Sequence, residues 1–315
     1  AEDIRQVTPT LSEALDHPDP EIRGRAALAL GRINAPGAGR TLLGMLGDSV
    51  ESVASLAAFG LGQIEQSQYA DDLLDIGIDL PTTLLPSLIR AAGRLADTSQ
   101  PDVISQLVTF LSHPAPQVRA ATCRALFYAG DRSTTSAVVN MAVPETDREV
   151  RLAALYLLAR FGESAAEQLY VFFLADPDPF ARQTAVRGLG HIGGEQATHY
   201  LAIALNDRDP SVVAQAIREL GKRTGAQARD QLARKLSDER DPRLIRLLLE
   251  TMLEQENAGG IQTAHRVLAG DYGYALVGTA LKYLAVFDGE RAIATVDSVA
   301  HAGGSNLRAA CADAY

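Results

Sequence analysis

Residues 19–33, DPEIRGRAALALGRI, carry the pattern that decides the fold. Apolar residues recur in this stretch at steps of three and four, which is the spacing of one face of an α-helix. They are Ile22, Ala26, Ala27, Leu30 and Ile33. The stretch therefore predicts a helix that packs its apolar face against other helices.

Variants of the motif ALGRI from this stretch recur along the chain with a period of about 31 residues. They are ALGRI (29–33), GLGQI (60–64), AAGRL (91–95), LARFG (158–162), GLGHI (188–192) and ELGKR (219–223). A fixed period of this size without a strand pattern indicates stacked helical hairpins, each burying its apolar face against its neighbours. We predict an all-α fold, a right-handed α-α superhelix of about ten helical hairpins of ~31 residues.

One copy of these words, RGLGHIG at 187–193, contains the G-x-G-x-x-G spacing of a dinucleotide-binding loop. Such a loop needs a strand before the glycines and a helix after them. Here a helix is predicted before the glycines, because Asp178 is a preferred N-cap residue and Pro179 suits the first helical position. We therefore interpret the three glycines as helix packing and closure, and we expect no nucleotide cofactor.

Composition narrows the classes of partner. The 315 residues include 29 basic and 39 acidic side chains, a net charge of −10, which argues against nucleic acid as a partner. Only three of the basic residues are lysine, so an anion-binding face would consist mainly of arginine.

No apolar run reaches the ~18 residues of a membrane span. Cys123 and Cys311 form no disulfide framework, and a cytoplasmic location and export with a removed signal both fit.

The sequence contains no arrangement typical of catalysis. It has no H-E-x-x-H pair, no nucleophile elbow and no phosphate-binding P-loop. Paired aspartates such as Asp176 and Asp178 are typical of helix caps and turns. We expect no catalytic residue, no metal site and no cofactor in this chain.

The pattern D-P-x-V-R-x-x-A-A-x-A-L-G-x-I-G, which residues 19–33 match almost fully, resembles the HEAT repeat. The resemblance is to the short bacterial type first associated with phycobilisome lyases. It implies that the aspartate and arginine of the pattern form a ladder between adjacent repeats. Asp19 with Arg23 and Asp178 with Arg182 match both positions of that ladder.

The resemblance covers essentially the whole chain, so we expect residues 1–315 to form a single HEAT-repeat solenoid. The segment that begins at Leu307 aligns with the start of a second helix, and the sequence stops at Tyr315. This predicts a truncated last repeat and a longer natural protein.

The resemblance further implies that the second helix of each hairpin lines a concave wall. Two positions, equivalent to 28 and 32 in the first repeat, point away from the core when 100° is counted per residue. In repeats three to seven they carry a stripe of Arg90, Arg94, Arg124, Tyr128, Tyr156, Arg160, Arg187, His191, Arg218 and Lys222. We predict that this concave stripe binds a partner. A solvated face is the alternative, because helix dipoles favour basic residues near helix ends.

These observations favour a non-catalytic protein–protein interaction scaffold that grips an acidic or extended protein segment. Arginine pairs bidentately with carboxylates, and tyrosine adds rigid contact area. A second hypothesis is the substrate-presenting module of a larger bacterial enzyme, because AALALGRI and AAFGLGQI resemble arrays found upstream of cyclophilin-type prolyl isomerase domains. A third is a bilin-lyase-type subunit, which the family name alone suggests. The sequence leaves the oligomeric state open.

Overall fold

The structure, a computed structural model, describes residues 11, 13–34, 37–77 and 80–289. All regular secondary structure of these residues is helical, and no strand occurs among them. The chain packs as two compact units that divide between Leu169 and Tyr170. The predicted all-α class is confirmed. The predicted end of the last repeat, Leu307 to Tyr315, lies outside the described residues.

The first unit is formed by α1 Pro20–Ile33, α2 Ala38–Gly44, α3 Glu51–Leu61, α4 Tyr69–Gly77, α5 Leu85–Leu95, α6 Pro101–Thr109, α7 Pro116–Ala129, α8 Thr135–Ala142 and α9 Arg148–Phe161. Helix α10, Glu167–Phe173, contains the division between the units. The second unit continues with α11 Pro179–His191, α12 Gly194–Ala204, α13 Pro210–Gly221, α14 Ala226–Asp238, α15 Pro242–Glu254, α16 Ile261–Leu268 and α17 Tyr274–Phe287.

Each unit consists of two helical layers. The odd-numbered helices are the second helices of the hairpins, and each packs on the next, from α1 to α9 in the first unit and from α11 to α17 in the second. The even-numbered first helices pack on the other side of this row. This is the hairpin stack that the period of about 31 residues predicted.

The apolar positions that recur along the second helices form the core. Fully buried members include Ala57, Leu61, Leu126, Ala154, Leu158, Ala185, Leu189, Ala216, Leu220, Leu248, Ala280 and Leu284. Ile22 is the exception, because its side chain is 38% exposed. Helix α1 packs against a second helix on one side only among the described residues, so part of its predicted apolar face lies open.

Small residues set how closely the second helices approach one another. A Cβ atom on Gly93 of α5 would lie 2.6 Å from the carbonyl oxygen of Ala125 on α7, well inside van der Waals contact. Gly31 of α1 meets the backbone of Gly60 on α3 in the same way. The glycine in the recurring motif therefore permits direct backbone contact between neighbouring repeats.

Two of the three glycines of RGLGHIG, Gly188 and Gly190, have the same packing role. The residues before them form helix α11, as predicted. A Cβ atom on Gly188 would lie 2.6 Å from the ring of Tyr170, and one on Gly190 would lie 2.6 Å from Cγ of Glu219. Gly194 adopts a positive φ of 92°, a conformation that favours glycine. Gly193 is the N-cap of α12, and the C-cap of α11 is Ile192, so the expected closure of α11 by Gly193 was wrong. A helix precedes these glycines, whereas a dinucleotide loop follows a strand.

Two prolines in residues 65–88, Pro81 and Pro86, predict an interrupted helical pattern and the least regular part of the array. Helix α4 runs without a break to Gly77, and residues 78–79 lie outside the described part of the chain. The expectation was wrong for Pro86, which lies in the first turn of α5, where its missing N–H has no partner to lose.

The aspartate of the repeat pattern caps its own helix. The side chain of Asp19 accepts a hydrogen bond from the backbone N–H of Glu21 at 2.8 Å, and Asp178 accepts one from Phe180 at 2.9 Å. Asp209 does the same for Ser211. These carboxylates are committed to the helix start, where they also favour the dipole.

The arginine of the pattern therefore pairs with a different acid, and the predicted aspartate–arginine ladder was wrong in this respect. Arg23 holds Asp48 through two hydrogen bonds of 2.7 and 2.9 Å. Arg182 holds Asp207 through two bonds of 2.8 Å. Each of these acids lies two residues before the N-cap position of the following repeat. Since that position is in the loop, its carboxylate can face the preceding repeat.

A third pair of this kind joins Arg119 to Glu145 through hydrogen bonds of 2.7 and 3.0 Å. We call each of these arginine–acid pairs between consecutive repeats a rung. The repeat pattern does not predict this pair, because Ala115 replaces the aspartate of the pattern there. The third guanidinium nitrogen of Arg119 donates to the carbonyls of His113 and Pro114. Each rung thus joins two consecutive repeats and also fixes the loop of its own repeat.

The rungs make stability depend on acid pH. Hydrogen bonding to Arg119 is the main cause that lowers the pKa of Glu145, and Arg23 does the same for Asp48. Because these pKa values are lower in the folded state, the stabilisation is present above the unfolded-state value of about 4 and is lost as the pH falls through the folded-state value. We expect the free energy of unfolding to decrease as the pH is lowered from about 4.5, and we expect this decrease to be smaller in Glu145→Gln. Urea titrations across the acid range measure it.

Glu65→Gln is the matched control, because Glu65 is exposed and forms no ion pair within the described residues. It should keep the acid dependence of the parent. Equal acid slopes for the parent and Glu145→Gln would contradict the assignment of this dependence to the rung.

Candidate functional site

Nine of the ten residues of the predicted stripe lie within second helices, and the tenth, Lys222, directly follows α13. Six belong to the first unit and four to the second. The exposed members are Arg94, Tyr128, Arg160, Arg187, His191, Arg218 and Lys222. The half-buried members are Arg90, Arg124 and Tyr156.

Three arginines of the first unit form a cluster of like charges, which we name the guanidinium cluster: Arg90 and Arg94 of α5 and Arg124 of α7. The Nη2 atom of Arg90 donates to Oγ of Ser87 at 3.1 Å. Burial lowers the pKa of Arg90, and the positive charges of Arg124 and Arg94 lower it further. The charges of Arg94 and Arg124 are therefore close enough to act on Arg90.

Aromatic rings hold the second member of the cluster. The guanidinium carbon of Arg94 lies 4.8 Å from the ring centre of Tyr128 and 5.7 Å from that of Phe59, which are cation–π distances. Both rings are nearly half exposed. Among the described residues, Arg94 forms no hydrogen bond and no ion pair. Its position is fixed by stacking, and its N–H donors face solvent.

Acidic neighbours compensate little of this charge. Glu149 approaches Arg124 at 3.6 Å, with both side chains substantially exposed, and it also lies 3.4 Å from Arg148. An exposed pair of this kind contributes little binding energy. Within the described residues, three guanidiniums and the one carboxylate paired with them leave a surplus of at least two positive charges, because Glu149 is shared with Arg148.

Arg160 has a structural contact as well as an exposed side chain. Its guanidinium carbon lies 4.6 Å from the ring centre of Phe127, and Nη1 donates to the carbonyl oxygen of that residue near the end of α7. Arg160 thus caps the preceding second helix, where a positive charge is favoured by the dipole. The guanidinium of Arg160 therefore already has an aromatic partner and a hydrogen-bond acceptor within the fold.

The stripe residues of the second unit are also of two kinds, those without a partner among the described residues and those that contact the fold. Arg187 and Arg218 are exposed and form no hydrogen bond or ion pair with a described residue. Lys222 donates to Glu219 at 2.7 Å, and Gln215 donates to the same carboxylate. Because Glu219 is only 1% exposed, Lys222 compensates a buried charge.

A surface depression of about 770 Å³ adjoins Arg218 between α13, α15 and α17. Arg243 and Arg246 line it, together with Leu247 and Glu250. Arg246 and Glu250 form an ion pair of 2.9 Å. The sequence prediction missed both arginines because they lie one and two turns before the position equivalent to 28. A count of every arginine on the second helices could have found them.

Other chemistry has few candidates in the described residues. They contain no group of three or more histidines, cysteines or carboxylates arranged to hold a metal ion. None of their helices combines the length and the apolar character needed to cross a bilayer. Burial raises the pKa of the Cys123 thiol to about 12, so this thiol is not a nucleophile at neutral pH.

Residues 5–79, 135–220 and 167–254 match the family model for HEAT repeats. No curated protein matches the sequence. Among solved structures, an engineered protein covers 97% of this chain and of its own, with a TM-score of 0.52 and 17% identity. YibA from Escherichia coli has a TM-score of 0.53 and 16% identity, covering 88% of this chain and 92% of its own. These similarities concern the fold, and the phycobilisome-lyase-like subtype stays a prediction.

Proposed function

Because the chain belongs to the HEAT-repeat family, whose helical hairpins it shows, we propose that it is a non-catalytic interaction scaffold. Its second helices bind an acidic segment of a partner protein. The observation that supports this most is the set of exposed guanidiniums on that face. Arg94, Arg187 and Arg218 have neither a hydrogen bond nor an ion pair among the described residues.

The charge balance supports an acidic protein segment over nucleic acid. The protein carries a net charge of −10, so its general field repels a polyanion such as DNA. A short acidic segment instead meets the local arginines, each of which can hold a carboxylate bidentately. The hypotheses of an isomerase module and of a bilin-lyase subunit gain no support from the similar proteins.

Charge reversal tests the proposal. Arg187→Glu combined with Arg218→Glu is expected to abolish capture of the partner and to change the free energy of unfolding by no more than about 0.5 kcal/mol, because both side chains are surface groups. Losing one member of a buried interfacial charge pair costs about 2–5 kcal/mol, which corresponds to a roughly 30-fold or larger loss of affinity. Pull-downs from the native lysate and urea titrations measure the two effects.

The control reverses Arg40 and Arg234, which are exposed on first helices. Arg229, also on a first helix, is unsuitable because its Nε atom is buried. The control should recover the partner as the parent does. Equal recovery by both variants would mean that the arginines form a solvated face, and a lower unfolding free energy for the stripe variant would mean that they brace the repeats.

A further inference from the structure

The guanidinium cluster is a donor set without an internal acceptor of matching charge. Placing like charges side by side is unfavourable, and among the described residues only the exposed carboxylate of Glu149 forms an ion pair with them. Such an arrangement in an acidic protein is stable only at a cost, which an external anion would remove. The cluster therefore has the electrostatic character of an anion site.

The cluster is also organised before any ligand arrives. Helices α3, α5 and α7 pack in a row, and each contributes to it. Phe59 from α3 and Tyr128 from α7 stack on Arg94 from α5, while Ser87 holds the half-buried Arg90. Since the N–H groups of Arg94 donate no hydrogen bond to a described residue, they are available to an acceptor. Preorganisation of this kind lowers the entropy lost on binding.

The surplus charge distinguishes between two kinds of anion. A carboxylate carries one charge and matches a single guanidinium fork, as the contact of Glu149 with Arg124 illustrates. That carboxylate leaves Arg90 and Arg94 without a counter-charge. A phosphomonoester carries about −1.5 to −2 charges at neutral pH and three strong acceptor oxygens. It alone matches a surplus of two charges spread over more than one guanidinium.

We propose that the guanidinium cluster binds the phosphate of a phosphorylated side chain in the partner segment, with Phe59 and Tyr128 contacting the residues that flank it. This inference rests on the proposed function, because it names the chemical group that one part of the second-helix face recognises. Arginine clusters recognise phosphorylated motifs through charge-assisted, bidentate hydrogen bonds.

Three fluorescein-labelled peptides of one aspartate- and glutamate-rich sequence test the proposal by fluorescence anisotropy. Their central serine is unmodified, phosphorylated or replaced by glutamate. The parent protein should bind the phosphorylated peptide at least about tenfold more tightly than the other two. The triple variant Arg90→Gln, Arg94→Gln, Arg124→Gln should bind all three equally, whereas Arg40→Gln with Arg132→Gln, both exposed on the first-helix side, should keep the difference.

Arg94→Gln alone is the second variant, because this exposed side chain has no hydrogen bond to lose among the described residues. It should reduce the preference for phosphate by about threefold or more. Equal binding of the three peptides by the parent overturns the inference and leaves the proposed function standing. Absence of binding to any of them overturns both. If inorganic phosphate alone binds as tightly as the phosphorylated peptide, the site takes the free anion and the partner-segment proposal is overturned.

Discussion

Replacing Gly93 by alanine is expected to lower the free energy of unfolding by about 3 kcal/mol, at the upper end of the cost of overpacking. The added methyl group would meet the backbone of Ala125, whose carbonyl oxygen lies 2.6 Å from the new Cβ position. A flexible side chain could rotate away, but a helix backbone cannot. Helices α5 and α7 must therefore separate, and the contacts between two repeats weaken together.

Urea denaturation followed by far-ultraviolet circular dichroism measures this loss, and hydrogen exchange locates it in α5 and α7. Gly44→Ala is the matched control, because Gly44 ends α2 with helical φ and ψ and a Cβ atom there would meet nothing within 4 Å. It should raise the free energy of unfolding by about 0.5–1 kcal/mol through helix propensity. If both variants changed stability equally, close packing would not explain the repeated glycine.

The fold could be predicted from sequence because two independent signals agree. The spacing of Ala26 and Leu30 gives the helical face, and the recurrence of ALGRI at about 31 residues gives the hairpin. In a repeat array each hairpin contacts only its neighbours, so local patterns carry nearly all the information about packing. Ile22 marks a limit of this prediction, because it is 38% exposed although Ala26 and Leu30 of the same predicted face are buried.

The ladder shows a second limit. Sequence comparison identifies residues that recur, and Asp19 and Arg23 recur together, but recurrence does not say that they bond to each other. The acid that Arg23 holds, Asp48, belongs to a position where aspartate, glutamate and histidine all occur. Such a position is inconspicuous in a pattern search. Only the geometry of the loop brings it to the arginine.

The candidate site was predicted in outline only. Helical periodicity places the stripe residues on one face, and the structure puts nine of the ten on the second helices. Helical periodicity does not predict that Lys222 compensates the buried Glu219 or that Phe59 contacts Arg94. These contacts depend on the offset between neighbouring helices, which the sequence of a single helix does not contain.

The second large effect is expected at the rung between Arg182 and Asp207. Arg182 is 4% exposed, and it donates two hydrogen bonds to Asp207 and two to the carbonyls of Asp176 and Pro177. Arg182→Ala leaves these acceptors without their donor in a largely buried place. Breaking a buried pair in this way costs about 3–5 kcal/mol, and we expect about 3 kcal/mol because Asp207 keeps some access to water.

An exposed pair in the same protein is the control for this prediction. Arg25 and Glu21 lie 2.6 Å apart with side chains 76% and 68% exposed, so Arg25→Ala should cost less than about 1 kcal/mol. Urea titration of both variants gives the comparison. A loss for Arg182→Ala no larger than that for Arg25→Ala would show that the rung does not hold the repeats together.

A double-mutant cycle separates the value of the rung from the cost of leaving one member alone. Combining Arg182→Met with Asp207→Leu removes both charges and restores apolar contact, so much of the loss caused by either change should be recovered. In the double variant the carbonyl oxygens of Asp176 and Pro177 lose their donor and the backbone N–H of Asp209 loses its acceptor, so recovery should stop short of the parent value. Full recovery would mean that the arginine contributes nothing beyond neutralising Asp207, and no recovery would mean that these bonds to the loops carry the whole effect.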